Sequence, residues 1–523
     1  MIDKSTTSAM VGNTTINDGG RLNIANNFTH TGNLTVGQAS SAVVSVDAGV
    51  TSALVGNYTQ TSGGIFQLGA DSDTNFGQMT VTGTASFASN AKFDVDVNMV
   101  NTLVIGETLS SVVSAGTLVS DGTFKVTDNS ALFNFTGAIN GNAIDIFVVN
   151  ADTVVDIVGR TGSPAAVGAA AVFDDWVLNG GDTPEVADVL NVFGPLETEQ
   201  EVADAVESAL PALSGAIAQA TSFATTAMTN LIGSRQDLVR GLSSGDDIMA
   251  DKNVWIAPYG HWNEQDDRQG VSGYQIDSYG LAVGVDEDLS PRFNLGLAFA
   301  YTRSDIDSDL AFGKHSVDVD TFQAKLYATA MLGETTALNL QIGAGRTDYD
   351  SKRRVFTLDV AEVEYNSWHS QVNAELEHSF LVSNNFMVTP YIYADYSYVA
   401  VDGYEEDHAA ALNLTVEKDS DETLIVGLGA KADYAATSRV SILADAAVGY
   451  DFMARRSSLT STFEGGGGKF STVGIKPDEL VYSAGFGFRF TGDNGSEITA
   501  RYDFYGREDY TDQAIGIKLS FLF

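Results

Sequence analysis

The sequence lacks several features, and each absence narrows the classes of protein to which it can belong. None of its 523 residues is cysteine, which excludes disulfide bonds. The absence suits a chain that crosses an oxidising periplasm unfolded, because a cysteine could form a premature disulfide there, although cysteine is also rare in many bacteria. Proline occurs 8 times against 52 glycines, and 10% of residues are aromatic. This mixture indicates strands and turns rather than helical bundles.

Basic residues are also scarce. The chain has 28 Lys and Arg against 68 Asp and Glu, which gives a net charge of −40. A nucleic-acid backbone would repel such a surface, and no basic stripe interrupts it, so we expect no nucleic-acid partner. The charge favours solubility in salt but indicates no particular chemistry.

Long apolar segments are absent as well. No run of about 18 apolar residues occurs, which excludes spanning helices and leaves a closed barrel as the only way to cross a bilayer. The first residues, Met-Ile-Asp-Lys-Ser, carry neither the basic nor the apolar region of a signal peptide. We therefore expect the sequence to be a mature or shortened form whose native N-terminal part is longer.

Residues 1–160 consist of short strand-like runs separated by Gly, Asn and Asp. Examples are Ala42-Val-Val-Ser-Val46 and Ala91-Lys-Phe-Asp-Val-Asp-Val97. Runs of about 3–7 residues are expected for the rungs of a β-solenoid, although an ordinary β-sandwich has a similar composition. Segments recur at irregular intervals of about 15–25 residues, and we interpret this zone as a solenoid.

A motif within this zone resembles a known family. The stretch Gly56-Asn-Tyr-Thr-Gln-Thr-Ser-Gly-Gly-Ile-Phe66, followed by Met79-Thr-Val-Thr-Gly-Thr-Ala85, is similar to a repeat near the C-terminal end of autotransporter passengers. The resemblance implies a right-handed parallel β-helix and, within residues 50–155, a region that nucleates folding outside the cell. The residues that carry this rung motif are Gly56, Asn57, Tyr58, Gly63 and Gly64.

The next two zones differ in composition. Residues 161–196 combine Gly, Ala and Pro-containing turns, and we interpret them as a linker. Residues 197–250 are predicted to form one α-helix, with acidic residues in its first turn and Arg235, Arg240 and Gly241 at its end. Its small side chains keep it slim, so it can lie inside a barrel, as the resemblance also implies. A surface helix is the alternative interpretation.

Residues 251–523 alternate between apolar and polar. In the last strand Ile515, Ile517, Leu519, Phe521 and Phe523 share one face, and Ala514, Gly516, Lys518 and Ser520 share the other. Twelve such strands are predicted, an even number as bacterial single-chain barrels require. Short turns alternate with long acidic loops at 402–422 and 454–479, which we assign to the periplasm and the cell exterior respectively.

Polar residues on one face of these strands are candidates for a wet lumen. They are Lys325, Glu375, Lys431, Asp445, Arg489, Arg501 and Lys518. Aromatic residues near strand ends favour an apolar outer face with interfacial girdles. The girdle candidates are Tyr391, Tyr393, Tyr396, Tyr398, Tyr502 and Tyr505.

Two further features resemble autotransporters. Val254-Trp-Ile-Ala-Pro-Tyr-Gly260 with Tyr279-Gly-Leu-Ala-Val-Gly-Val-Asp286 is similar to the first barrel hairpin of the family. The C-terminal strand resembles the signal that the barrel assembly machinery reads, carried here by Gly516, Leu519, Phe521 and Phe523. The resemblance covers residues 200–523.

Motifs for enzymatic chemistry are missing from the sequence. No G-D-S-G, G-D-S-L or G-x-S-x-G occurs, and the six histidines are dispersed. His369 and His378 lie nine residues apart on one strand and therefore point to opposite faces. We expect no catalytic residue, no cofactor and no metal, and hence no enzymatic activity.

Together these patterns predict an all-β autotransporter: an N-terminal right-handed parallel β-helix (1–160), a linker (161–196), a lumenal helix (197–250) and a 12-stranded antiparallel transmembrane barrel (251–523). We expect it in the outer membrane, displaying an adhesin or self-association domain that stays attached. Expected partners are lipid and lipopolysaccharide, the barrel assembly machinery with periplasmic chaperones, and host or neighbouring-cell surfaces; the barrel is expected to be monomeric. A porin-like channel, or a translocator whose enzymatic passenger lies upstream of Met1, are the alternatives.

Overall fold

The computed structural model describes residues 8–37, 41–98, 102–150, 152–179, 183–211, 216–237, 253–308, 310, 313–492 and 495–522. These residues form two compact units. The first contains the described residues up to Ala209, together with Ala410–Leu412 and Phe463–Gly468. The second contains the remaining residues from Leu210 to the C-terminal strand.

Short strands dominate the first part of unit 1, as the punctuated sequence predicts. Within the described residues they are β1 (Ser8–Val11), β2 (Thr14–Ile16), β3 (Arg21–Ile24), β4 (Phe28–Thr31), β5 (Leu34–Val36), β6 (Ala42–Val46), β7 (Thr51–Val55), β8 (Tyr58–Gln60), β9 (Gly64–Ala70), β10 (Gln78–Phe87), β11 (Ala91–Val97), β12 (Thr108–Val119), β13 (Phe124–Asp128), β14 (Phe133–Asn140) and β15 (Ala143–Asn150).

These strands stack in three parallel ladders. One ladder runs β1–β4–β7–β10–β12, a second runs β2–β5–β8–β10, and a third runs β3–β6–β9–β11–β13. The stack ends where β15 pairs with β12 in the antiparallel sense and β14 pairs with β15. Each successive turn of the chain adds one strand to each ladder up to β9, and the long strand β10 then continues the first two ladders together.

Apolar side chains fill the interior between the ladders. Phe66 and Phe93 are fully buried, with ring centroids 5.7 Å apart, and Phe93 meets Phe124 edge-on at 5.5 Å. Offset and edge-on arrangements of this kind are the favoured aromatic geometries. The alternation of buried and exposed residues along each strand thus produces a core shared by consecutive turns.

Four helices follow the strands in unit 1: α1 (Val154–Thr161), α2 (Val167–Asn179), α3 (Pro184–Phe193) and α4 (Glu199–Ser208). The prediction of a linker over 161–196 is therefore wrong. Phe173 and Trp176 lie on the buried side of α2 and contact the ring of Phe463, at 5.8 and 5.4 Å between centroids. Apolar residues at helical spacing give this segment a core, which a linker would not have.

The predicted single helix over 197–250 is also wrong, because the chain forms two helices there. Thr198 caps α4 in a reciprocal capping box with Glu201, and α4 ends before Pro211. Proline lacks the N–H that a continuing helix needs, and it restricts the residue before it. The second helix is α5 (Ala216–Gln236), in unit 2. Residues 238–250 of the predicted helix lie outside the described residues.

Unit 2 is built around twelve long antiparallel strands in the described residues. They are β16 (Asn253–Gln265), β17 (Tyr274–Ser290), β18 (Phe293–Ser308), β19 (His315–Met331), β20 (Thr336–Arg354), β21 (Val360–His378), β23 (Phe386–Val401), β26 (Asp419–Ala435), β27 (Val440–Asp451), β30 (Leu480–Thr491), β31 (Glu497–Arg507) and β32 (Tyr510–Leu522). β16 pairs with β32 and β21 pairs with β23, so the sheet closes on itself. The predicted 12-stranded antiparallel barrel is confirmed.

The remaining strands of the described residues are short. They are β22 (Phe380–Ser383), β24 (Tyr404–Glu405), β25 (Leu414–Val416), β28 (Ser458–Phe463) and β29 (Lys469–Val473). β22 pairs with the start of β23. β24, β25, β28 and β29 form a separate four-stranded sheet from segments that we predicted to be loops. The long connections at 402–422 and 454–479 are therefore partly ordered into strands by pairing with each other.

The two faces of the barrel strands differ in polarity. The outward face carries large exposed apolar side chains, such as Leu281, Phe299 and Ile517 at 43%, 54% and 46% exposure. The inward face carries buried polar residues, such as Thr302, Lys325 and Lys518. This inside-out arrangement is the one expected of a barrel in lipid. Among the helices in the described part of the chain, none combines the length and apolar character required to cross a bilayer.

Candidate functional site

The interior of the barrel, with α5 inside it, is the candidate functional site. The sequence of α5 is Ala-Ile-Ala-Gln-Ala-Thr-Ser-Phe-Ala-Thr-Thr-Ala-Met-Thr-Asn-Leu-Ile-Gly-Ser-Arg-Gln, in which Arg235 is the one charged residue. Small side chains keep the helix narrow enough to fit beside inward-pointing residues of the wall. The lumen is therefore occupied by a nearly neutral helix that lies along one side of the barrel.

Apolar contacts hold α5 at two levels. At one level Phe223 stacks on Tyr510, with ring centroids 5.3 Å apart and planes 8° apart, in a cluster that includes Ile276 and Ile306. At the other level Met228 and Ile232 pack against the wall. The wall residues of this second cluster are Trp255, Ala257, Tyr259, Ala282, Ala298, Ala300 and Tyr327. Aromatic and small residues thus provide an apolar lining on one side of a polar lumen.

The wall also donates hydrogen bonds to the helix backbone. Gln323 Nε2 donates to the Ala224 carbonyl at 2.7 Å, and Lys325 Nζ donates to the Thr225 carbonyl at 2.8 Å. Gln341 Nε2 donates to the Thr229 carbonyl at 3.2 Å. The carbonyls of a helix are its least sequence-specific feature, so these contacts bind the helix without selecting its side chains.

One contact between the helix and the wall is ionic and fully buried. Arg235 donates from Nε and Nη2 to the two carboxylate oxygens of Asp286 at 2.9 and 2.8 Å. The side chains of Arg235 and Asp286 are 8% and 0% exposed. Tyr327 donates a third hydrogen bond to Asp286 at 3.0 Å and accepts one from Trp255 at 2.9 Å. A bidentate guanidinium–carboxylate pair fixes direction as well as distance.

A cavity of about 260 Å³ lies on the other side of α5. Three Arg–Asp pairs line it or border it: Arg489–Asp433 at 2.9 Å, Arg507–Asp451 at 3.0 Å, and Arg501 with Asp445. Tyr391, Tyr393 and Tyr505 also line this cavity. Their assignment to an outer girdle is therefore wrong, because each has the strand parity of the inward residues. Tyr502, of opposite parity to Tyr505, is 42% exposed on the outward face.

A carboxylate cluster in the lumen has the spacing of a cation site. Oxygens of Asp237, Glu375 and Glu377 lie within 4.8 Å of one another in the described residues. The Nζ atom of Lys431 approaches these carboxylates at 2.8, 2.7 and 3.4 Å respectively. The ammonium group offsets part of the negative charge of the three carboxylates, and these contacts make the cluster an ion-pair network. His369 is buried in the wall, and His378 is the last residue of the same strand, nine residues further on.

The structure places all seven predicted lumen residues on inward strand positions. Lys325, Arg489 and Lys518 are buried at 1%, 8% and 2% exposure. Lys518 donates to the hydroxyl of Ser234 in α5 at 2.6 Å. The ion pairs given above bring Glu375 together with Lys431, and Asp445 together with Arg501.

The predicted assembly signal lies on β32 next to the point of closure. Leu519 and Phe521 are the register partners of Ile256 and Val254 of β16, and Gly516 is the partner of Tyr259. Phe521 is 43% exposed on the outward face. Phe523 lies outside the described residues. The strand therefore seals the barrel, and its role as a signal stays a prediction.

The rung motif lies at a corner of the ladders in unit 1. The Oδ1 atom of Asn57 accepts a hydrogen bond from the Thr84 amide at 2.8 Å, and Asn33 does the same for the Asn57 amide at 3.0 Å. Tyr58 is fully buried and donates to Gln60 at 2.9 Å. A Cβ atom on Gly64 would lie 2.5 Å from the Val36 carbonyl oxygen. Gly63 accepts from the Ala42 amide at 3.1 Å.

Sequence reasoning missed the residues that bind the helix most directly. Arg235 was assigned only to the end of the helix, and Asp286 was noted only within a resemblance. Asp286 lies an even number of residues from Ala282 and Gly284 and therefore on the same, inward face of its strand. A single charged residue in an otherwise neutral α5 indicates a partner of opposite charge in the wall. The repeated Gly-Asn pairs at 12–13 and 32–33 could likewise have revealed the corner ladder.

The closed barrel, its apolar exterior and its helix-filled lumen define an outer-membrane β-barrel with a helix inside it. Residues 254–503 match the family described as Autotransporter beta-domain. These residues form an autotransporter β-domain, and the domain is located in the outer membrane. Such a domain implies export of a passenger across that membrane.

Several known proteins are similar to this chain. Outer membrane protein A of Rickettsia rickettsii is 27% identical over 262 residues, which cover 47% of this chain and 12% of that protein. Outer membrane protein B of Rickettsia prowazekii is 21% identical over 284 residues, 52% of this chain and 17% of that protein. An extracellular serine protease of Serratia marcescens is 28% identical over 199 residues, 37% of this chain and 18% of that protein. The chain thus spans less than a fifth of the length of these curated relatives.

A solved structure is similar as well. The translocator domain of the autotransporter NalP from Neisseria meningitidis aligns with a TM-score of 0.46 at 17% identity, covering 57% of this chain and 97% of that chain.

Proposed function

We propose that the barrel exports the N-terminal part of its own chain and that α5 then stays in the lumen as a plug. The observation that carries this proposal is the position of α5 inside a closed barrel, directly after unit 1 in the sequence. A chain whose preceding part has passed through the lumen would leave the segment that joins it to the barrel in this place. The neutral, narrow helix and its backbone-directed contacts suit a segment that has slid through the pore.

The displayed part would be the strand-rich region of residues 1–160. We propose that its three parallel ladders are the right-handed β-helix of a passenger, whose folding outside the cell supplies the energy for export. The region that nucleates this folding would lie within residues 50–155, which include Gly56 and Asn57. A role in adhesion or self-association rests on analogy with the family. Host or neighbouring-cell surfaces are the corresponding partners.

The proposal also assigns boundaries and partners. The passenger with its helices ends near Ala209, α5 is the lumenal segment, and the barrel extends from Asn253 to the C-terminus. Lipid and lipopolysaccharide would surround a monomeric barrel, and the barrel assembly machinery and periplasmic chaperones would deliver it. The inward residues from Lys325 to Lys518 would line the lumen, and Gly516, Leu519, Phe521 and Phe523 would form the assembly signal.

We further propose that the passenger stays covalently attached and has no enzymatic activity. The lumenal helix lacks the paired asparagines at which some autotransporters are cleaved, because Asn230 is followed by Leu231. Accumulation of a barrel fragment that begins within residues 215–250 would contradict this. An enzymatic passenger encoded upstream of Met1 is the competing possibility, and reading the native gene upstream of this sequence decides it.

A porin-like channel is the second candidate function, and the charged cavity beside α5 favours it. Single-channel conductance in planar bilayers separates the two. As a plug, α5 should keep the conductance of the full chain low, and deletion of residues 216–237 should raise it severalfold. A conductance that is high in the full chain and insensitive to the deletion would support the channel instead.

A further inference from the structure

We propose that the space beside α5 selects ions by charge. It admits small hydrated cations and excludes anions, and Asp395 and Asp421 are its selectivity-determining residues. This selectivity goes beyond export and does not depend on it, because it concerns ions that pass while the helix stays in place. Three features of the cavity beside α5 support it: its extent along the wall, the charges that line it and the partners of those charges.

The cavity extends along most of the height of the barrel wall. On the inward face of β26 it is lined from Asp421 to Asp433, the third residues from the two ends of that strand. On β23 it is lined from Met387 to Val399, again close to both ends. The lined part of β26 is about 40 Å long, so a volume of about 260 Å³ is spread over a long and narrow space. The cavity therefore has the form of a passage that runs beside the helix.

Carboxylates outnumber cationic groups along this passage. In the described part of the chain nine Asp and Glu residues line it against four Lys and Arg residues, an excess of five negative charges. The one charged residue of α5, Arg235, does not offset this excess, because it pairs with Asp286 in the wall. Ions in a narrow passage stay within about 10 Å of the wall, the distance over which 0.1 M salt screens a charge. The surplus of carboxylates then attracts cations and repels anions.

The cationic groups of the lining all have carboxylate partners. Arg501 approaches Asp503 at 2.7 Å and also pairs with Asp445. Lys431 is shared by the three carboxylates of its cluster. The two other guanidinium groups are each paired with one aspartate. The positive charges of the lining are therefore balanced or exceeded by their own partners, and they leave little attraction for an anion in the passage.

Two carboxylates of the lining are held by neutral donors instead. Asp395 accepts hydrogen bonds from Nε2 of Gln371 at 2.9 and 2.8 Å and from Nδ2 of Asn373 at 2.9 Å. Asp421 accepts one from the Glu422 amide at 3.0 Å. Within the described residues neither forms an ion pair with Lys or Arg. Neutral donors fix a carboxylate in place without cancelling its charge, so both carboxylates keep a charge that can attract a mobile cation.

Carboxylates also occur at three levels of the passage. Asp421 lies near the end of the wall assigned to the exterior, and Asp395 lies near the middle. Glu375 and Glu377 lie near the end assigned to the periplasm. A cation can move from one level to the next, whereas an anion is repelled at each. Conduction needs sites that attract an ion and also release it, and carboxylates in sequence along a narrow space meet both needs.

Current recordings from the purified, folded full chain in planar bilayers test the selectivity. Unequal KCl concentrations on the two sides at pH 7 give a zero-current potential, from which the permeability ratio of potassium to chloride follows. The native chain should pass a small current in which potassium is favoured by about tenfold. Folding of every variant is checked by the heat-dependent migration of the barrel on gels.

Removal of the two carboxylates should weaken the preference for potassium. Asp395→Asn and Asp421→Asn each remove one negative charge with little change in volume, and each should lower the permeability ratio. The double variant should lower the ratio severalfold. Asp277→Asn is the matched control, because it removes the same charge from an exposed position on the outward face of β17. It should leave the ratio close to the native value.

Several results would overturn the proposal. A folded full chain that carries no current, or a native ratio close to one, would show that the passage does not select cations. A ratio that Asp395→Asn and Asp421→Asn leave unchanged would do the same for the two residues, and Asp421→Asn alone decides this if Asp395→Asn does not fold. An equal fall in Asp277→Asn would assign the selectivity to the outer surface. Export is measured separately by protease treatment of cells, so a failure of selectivity is distinguishable from a failure of export.

Discussion

The strands of unit 1 and the strands of the barrel use the same alternation for opposite purposes. In unit 1, Phe66 and Phe93 point into a shared interior and are fully buried. In the barrel, Phe299 and Phe322 point outward and are 54% and 52% exposed, while Lys325 points inward and is 1% exposed. Alternation of period two specifies a strand in both cases, but the surroundings decide which face is apolar. The comparison teaches that the polarity of the outward strand face shows whether a unit is surrounded by water or by lipid.

The largest effect is expected from truncating the interior of unit 1. Phe93→Ala removes contacts with Phe66, Phe87 and Phe124 and should lower the free energy of unfolding of this unit by about 3–5 kcal/mol. Protease resistance of residues 1–208 at increasing urea concentrations measures it in the full chain. Val119→Ala, at a half-exposed side chain of β12, should change the midpoint little.

A charge on the outer face of the barrel should have the next largest effect. Phe299→Arg, in the middle part of β18, should destabilise the barrel in lipid by about 2–4 kcal/mol, since lipid cannot solvate the guanidinium. Phe293→Arg, at the first residue of the same strand, should cost about 0–1 kcal/mol because it lies near the interface. Urea-dependent folding into vesicles measures both. Equal costs at the two positions would contradict a lipid-facing exterior.

Crowding at the corner of the ladders should have an intermediate effect. A Cβ atom on Gly56 would lie 2.2 Å from the Gly32 carbonyl oxygen, so Gly56→Ala should cost about 1–3 kcal/mol in unit 1. Gly159, within α1, has no neighbouring atom within 4 Å of such a Cβ. Gly159→Ala should therefore stabilise the unit by about 0.5–1 kcal/mol through lower entropy of the unfolded chain. The same protease assay distinguishes the two, and a loss in both variants would refute the steric account.

The smallest effect is expected from an exposed ion pair of unit 1. Arg160 contacts Asp152 and Glu199 at 2.8 Å each, but all three side chains are more than 40% exposed. Water and salt screen such pairs, so Arg160→Met should barely move the urea midpoint, and any shift should vanish in molar salt. A large shift that persists in high salt would show that exposure does not control the strength of these pairs.

Much of the fold follows from local patterns, and the errors have definite physical causes. The barrel was predictable because its alternation persists through strands of 11–19 residues. The helices over 154–193 were missed because small residues such as Ala169 and Ala170 dilute the spacing of Phe173 and Trp176. Pro211 ends the helical run that we extended to 250. Strand pairing between the loops depends on partners more than forty residues apart, which no local pattern encodes.

The site was predictable only in part. Strand parity is enough to place Lys325 and Lys518 on the inward face. It does not determine the rotation and depth of α5, on which every contact between helix and wall depends. The pairing of Arg235 with Asp286 therefore could not be predicted without the tertiary structure, although the sequence shows each of them as a charged residue among neutral neighbours.

Protease treatment of intact cells, followed by mass spectrometry, tests the central claim most directly. The chain is produced with an added signal peptide. If the barrel has exported unit 1, protease should remove residues 1–208 and leave a protected fragment that begins between 210 and 253 and ends at Phe523. Protection of residues 1–208 inside the cell, or degradation of the whole chain, would contradict export through this barrel.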